Sequence, residues 1–106
     1  MDGIIIARLD GEIDVNSKAE LRAKLEPLIS AKIAIVDLRE VTYMDSSALT
    51  ELLLLRRKRD GSDPDGNLQA MRLIVGNSPA RRVLQLSGFD KVFPMYDTLE
   101  EAGVHE

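Results

Sequence analysis

The sequence has no cysteine, no tryptophan and a single histidine among its 106 residues. Without cysteine there is no disulfide framework, no thiolate metal site and no cysteine nucleophile. No apolar run approaches the roughly 18 residues that a membrane-spanning helix needs. The opening segment MDGIIIARLDGE carries no basic lead and only a very short apolar run, so it does not read as a secretory signal. These absences fit the reducing cytoplasm. A net charge of -4 and a pI near 5.0 argue against a general affinity for nucleic acid or anionic lipid. Neither GxxxxGK[ST] nor GxGxxG occurs, so no nucleotide or other cofactor is expected.

What is present is an ordinary globular composition, 44% hydrophobic and 30% charged, in a chain of the length of one domain spanning residues 1–106. Ile4 to Leu9 is β-branched and reads as a strand continuing or bending through Gly11 towards Ile13. Ser17 opens a helix with a capping box, Ser17 to Glu20, and Leu21, Leu25, Leu28 and Ile29 give its buried stripe. Pro27 predicts a kink or an early end.

Ile33 to Leu55 forms the centre. IAIVDL is nearly all apolar, as in a strand covered on both faces. Asp45 or Ser46 then caps a helix whose core face is read as Leu49, Leu52 and Leu53, widened by Leu54 and Leu55. Arg56, Arg57, Lys58 and Arg59 close it as a solvated basic end, matched to the negative pole of the helix. Asp60 to Asn67 is a loop, with two Asp-Gly steps around a proline. Placing Gly66 on the essential glycine of a calcium loop puts Gly61 at the first ligand position and Arg72 where a bidentate Glu belongs, so an EF-hand fails.

Leu68 to Val75 resumes as a strand. Ser78-Pro79 starts a helix carrying Val83, Leu84 and Leu86 and stopping at Gly88. Val92 to Tyr96 reads as a short edge strand, and Asp97 or Thr98 as the cap of a last helix through Ala102. Alternating strands and helices of these lengths imply right-handed crossovers in an α/β fold. An open, mixed but mostly parallel sheet of about four strands with about four helices is expected.

Asp45-Ser46-Ser47 is the candidate site. As structure alone, it is a helix cap. As function, it is an exposed hydroxyl at a helix N-terminus, where free amides and the dipole favour an added anion. Nucleophilic hydrolysis would need a nearby base. The single histidine, His105, is one residue from the end, and no G-x-S-x-G elbow surrounds Ser46. The residues therefore point to a modifiable binding module, not an enzyme.

At VDLREVTYMDSSALTELL the chain resembles the STAS domain of bacterial anti-sigma factor antagonists. Gly11-Glu12-Ile13-Asp14, Asn77-Ser78-Pro79 and Leu86-Ser87-Gly88-Phe89 extend the resemblance in the family's order. It implies a STAS-like sheet and a partner switch. By that resemblance the unphosphorylated protein would bind an anti-sigma factor that is itself a GHKL-type serine kinase, releasing a sigma factor. Phosphorylation at Ser46 would end that complex, and a PP2C-type phosphatase would reverse it. Asp14, Asp45, Ser47 and Ala48 fall on positions implied to line the partner contact, with Ala48 standing where the family has glycine. The family's first strand has no sequence left before Ile4, which would leave a sheet edge open to a second copy or to a partner's strand. Two alternatives remain at this stage. One is an unphosphorylated STAS scaffold or subunit of a transport or signalling complex, and the other is a small-ligand or nucleotide-sensing module.

Overall fold

The computed structural model describes residues 3–104. Strands β1 (Ile4–Ile13), β2 (Ile33–Met44), β3 (Arg72–Ile74) and β4 (Met95–Tyr96) form one sheet in the order β1-β2-β3-β4. All described pairings are parallel, in keeping with the mostly parallel open sheet expected. Helices α1 (Lys18–Leu25), α2 (Ser46–Gly61) and α3 (Pro79–Leu86) make the three crossovers.

Among the described residues the expected fourth helix is absent. Residues 97–103 form turns, with Thr98 Oγ1 accepting from the Glu101 amide and Glu101 Oε1 from the Asp97 amide. Local side-chain bonds of this kind compete with helix propagation. The strands are also shorter than the sequence implies at β3 and β4, because only Leu73 and Ile74 find partners on both sides.

The sheet has two unequal faces. Ala7, Leu9, Val36, Leu38, Leu73 and Val75 pack with the helices in the main core. A smaller cluster of Ile35, Ile74, Ala102 and Val104 lies on the other side, under the 97–104 segment. Central strand β2 is therefore apolar on both faces over Ala34, Ile35 and Val36, as its sequence predicts. Asp37 is the exception, buried at 5% exposure. Burial raises its proton affinity, but the Arg39 guanidinium at 2.7 and 3.0 Å, the Arg39 amide and the more distant Arg8 together hold its carboxyl below the usual range.

The helix details correct several expectations. Ser17 makes no side-chain cap to α1. It closes a capping box with Asp14 around the single turn Val15–Ser17, and Glu20 instead pairs with Lys24 at 3.4 Å. Helix α1 ends at Leu25, where Pro27 enters a 3-10 turn. On α2 the buried stripe is Ala48, Glu51, Leu52, Leu55 and Arg59, while Leu53 is exposed. The stripe is turned from the one expected because α2 packs against α1 and the Glu26–Leu28 turn, and two charged residues lie within it. On α3, Leu84 is buried but Leu86 is 75% exposed. Gly88 takes the left-handed conformation that ends α3 (φ 79°).

The basic run is not uniformly solvated. Arg59 is buried and donates to the carbonyls of Leu28 (2.5 Å), Ala31 (2.8 Å) and Gln69 (2.6 Å). Helix α2 extends through Asp60-Gly61, so the following loop is shorter than expected. Asp63 orders it by accepting the amides of Asn67 and Leu68 at 2.7 and 2.8 Å. No helix is long and apolar enough to cross a membrane among the described residues.

Candidate functional site

The carboxyl ends of parallel strands are where an open α/β sheet presents its loops. Here Ile13 of β1 and Met44 of β2 are register partners. The Asp45 amide donates to the Ile13 carbonyl at 3.2 Å, so Asp14 and Asp45 begin adjacent turns at one end of the sheet. Two register shifts, between Arg8 and Asp10 and between Gly11 and Glu12, are needed to bring these ends level. Gly11 adopts φ 70° at the second, a conformation that strains other residues.

Each aspartate caps the turn that follows it. Asp14 Oδ1 accepts from the Asn16 amide at 2.9 Å and from the Ser17 hydroxyl at 3.3 Å. Asp45, in extended conformation, accepts the Ser47 amide at 2.9 Å. Ser46 is thereby fixed as the first residue of a sixteen-residue helix. Its side chain is exposed, and no described hydrogen bond engages its hydroxyl. Its carbonyl is held by Thr50 Oγ1 at 3.0 Å. An exposed hydroxyl on a rigid helix start, beside unsatisfied amides, is a suitable acceptor for a phosphoryl group.

The other sequence candidates separate here. Ser47 is half-buried and gives its amide to the cap. Ala48 is 2% exposed and belongs to the main core. Its methyl group points into packed apolar surroundings, so it offers no side-chain surface to a docking protein. His105 lies outside the described residues. No group of three or more potential ligands that could hold a metal occurs among the described residues.

Two features near the site were not anticipated from sequence. Val15, directly after Asp14, is 62% exposed, and Tyr43, three residues before Ser46, is 51% exposed. Large apolar groups left in water beside a candidate docking hydroxyl suit a contact surface. Glu51 and Arg59 were also missed. Positions 48, 51, 52, 55 and 59 share one helical face, but the partners that allow Glu51 and Arg59 to be buried there come from distant segments.

The sequence model of the STAS domain matches residues 1–102. An anti-sigma F factor antagonist of Paenibacillus polymyxa is 29% identical over 98 residues, 90% of this chain and 80% of that protein. The crystal structure of an anti-sigma factor antagonist from Mycobacterium paratuberculosis superposes with a TM-score of 0.83 at 26% identity, covering 96% of this chain and 84% of the other. The phosphorylated form of the Bacillus cell fate determinant SpoIIAA gives 0.63 at 28% identity, with 96% and 89% covered. With a parallel sheet, an Asp-capped serine at the start of α2 and these matches, the chain belongs to the STAS-domain family of anti-sigma factor antagonists.

Proposed function

We propose that this protein is an anti-sigma factor antagonist acting in the cytoplasm and switched by phosphorylation of Ser46. The single observation that carries the reading is the exposure of Ser46 as first residue of α2, behind the Asp45 cap. In the unphosphorylated state the end of the molecule formed by Asp14, Asp45, Ser46 and Ser47 docks on an anti-sigma factor serine kinase of the GHKL class. That docking frees a sigma factor. ATP is the kinase's ligand, and a PP2C-type phosphatase restores the hydroxyl.

The electrostatics favour a switch at the interface over a change of fold. A phosphate adds about -1.5 to -2 charges. Attraction to the α2 N-terminus contributes about 0.3–1 kcal/mol, and repulsion from Asp45 opposes it with a similar size. The domain thus keeps its structure, while a partner surface must meet an unpaired dianion. A loss of about 3–4 kcal/mol there lowers affinity a few hundredfold.

The test is phosphorylation by the cognate kinase with ATP, read by intact-mass and peptide mass spectrometry. Wild type should gain one phosphate on Ser46 and the Ser46→Ala protein none. Equal labelling of the two proteins would remove Ser46 as the site.

A further inference from the structure

A cavity of about 240 Å³ opens near the far end of α2, about 15–21 Å along the helix from Ser46 at 1.5 Å per residue. Its floor is formed by Met71 and Phe93, each 2% exposed, and by Arg59 at 3%. Leu68 forms an apolar wall, and Arg56 and Asp60 stand at the rim. The segment 62–71, which includes most of the loop expected at Asp60–Asn67, closes one side.

Its charges are unusually disposed. A guanidinium has five N–H donors, and the three described bonds of Arg59, two from Nη1 and one from Nη2, all go to main-chain carbonyls. Two donors remain, and among the described residues no carboxylate lies within ion-pair distance of this buried cation. Burying a charge without a counter-charge is costly. Asp63 and Asp60 attract this cation from beyond ion-pair distance, and the two oxygens of Asp63 are taken up by the Asn67 and Leu68 amides. Arg56 and Asp60 are opposite charges one turn apart on α2, yet no ion pair between them is described, unlike Glu20 and Lys24 on α1. An acid following its base by four residues is the less favourable order on a helix.

The cavity thus presents cationic donors at its floor and rim, one uncommitted carboxylate at the rim, and an apolar wall and floor. We propose that it binds a small zwitterion with an apolar side chain, an apolar α-amino acid. The ligand carboxylate meets Arg59 and Arg56, its ammonium meets Asp60, and its side chain lies against Leu68, Met71 and Phe93. A simple anion would leave Asp60 facing it, and a simple amine would leave the two remaining Arg59 donors without an acceptor. The volume lies below the roughly 300–1,000 Å³ of sites for drug-sized molecules, which suits a ligand of this size. The site is separate from Ser46 and does not depend on its modification.

Calorimetric titration of the full chain decides this. L-leucine, L-methionine and L-phenylalanine are compared with 4-methylpentanoate, which lacks the amine, and 3-methylbutylamine, which lacks the acid. At least one amino acid should bind saturably, with each leucine analogue about tenfold or more weaker than leucine itself. Arg56→Gln should weaken amino-acid binding, and Asp60→Asn should abolish the preference for leucine over 4-methylpentanoate. Both residues are exposed, so circular dichroism of these variants should stay native. The proposal is overturned if no amino acid binds at millimolar concentration, if either analogue binds as well as leucine, or if neither rim substitution changes binding.

Discussion

Arg22 of α1 and Glu51 of α2 form a bidentate ion pair, Nε to Oε1 and Nη2 to Oε2, both at 2.9 Å. The pair is lopsided: the Glu51 side chain is 2% exposed and that of Arg22 is 52% exposed. The Arg22 hydrogen bonds hold the Glu51 carboxyl below its ordinary range, against the opposing effect of burial, with Arg22, Lys18 and Lys58 adding attraction. This contact clamps α1 to the helix that carries Ser46.

A pH dependence follows from that lowered affinity for protons. A carboxylate whose folded-state pKa lies below its unfolded value stabilises the fold above the unfolded pKa, near 4.5. That stabilisation is lost as pH falls through the folded value. Arg22→Met should lower the melting temperature at pH 7 and shift the acid unfolding midpoint to higher pH, because burial then dominates at Glu51. Thermal melts between pH 3 and 7 would show it, and an unchanged acid limb would contradict the clamp.

Asp45 has two separable roles, cap and charge. Asp45→Ala should cost about 1 kcal/mol in urea unfolding through loss of the Ser47 amide bond. Asp45→Asn retains a cap of similar quality and should lie within a few tenths of a kcal/mol of wild type. If both variants unfold alike, the cap observed here does not stabilise α2.

Ser46→Asp should leave the circular dichroism spectrum native and weaken kinase binding. The complete switch by phosphate is about a few hundredfold, and a single carboxylate should give part of it. Calorimetry with the kinase measures this directly. An unchanged affinity would speak against an electrostatic mechanism at Ser46.

Ala48 is a core residue, so substitutions there should register in stability. Ala48→Gly should cost about 1 kcal/mol through helix propensity alone, with kinase affinity unchanged. Ala48→Leu should cost about 1–3 kcal/mol by overpacking. A variant that keeps wild-type stability but loses kinase binding would place Ala48 at the interface instead.

Arg59→Met removes the donor shared by three loop carbonyls. The expected loss is about 3 kcal/mol, since an unsatisfied buried group costs roughly 1–3 kcal/mol and water can reach some of them. Arg57→Met, on the exposed side of the same helix, should stay within about 0.5 kcal/mol of wild type. Equal effects at the two positions would show that Arg59 is not the pin described.

The local code of this chain is strong where neighbouring residues decide the outcome. β-branched runs alternating with helical stripes determined the strand–helix order and hence right-handed crossovers. Asp45-Ser46 narrowed the start of α2 to two neighbouring residues, because a cap acts within three residues. The tertiary structure decided what depends on distant partners. Arg59 reads as one more solvated cation until Leu28, Ala31 and Gln69 bring their carbonyls to it. Glu51 reads as surface until Arg22 arrives from α1. The Asp14–Asp45 end exists only because two register shifts along β1 and β2 bring Ile13 opposite Met44. Pairing register is a relation between strands separated by a whole helix, and no local residue pattern contains it.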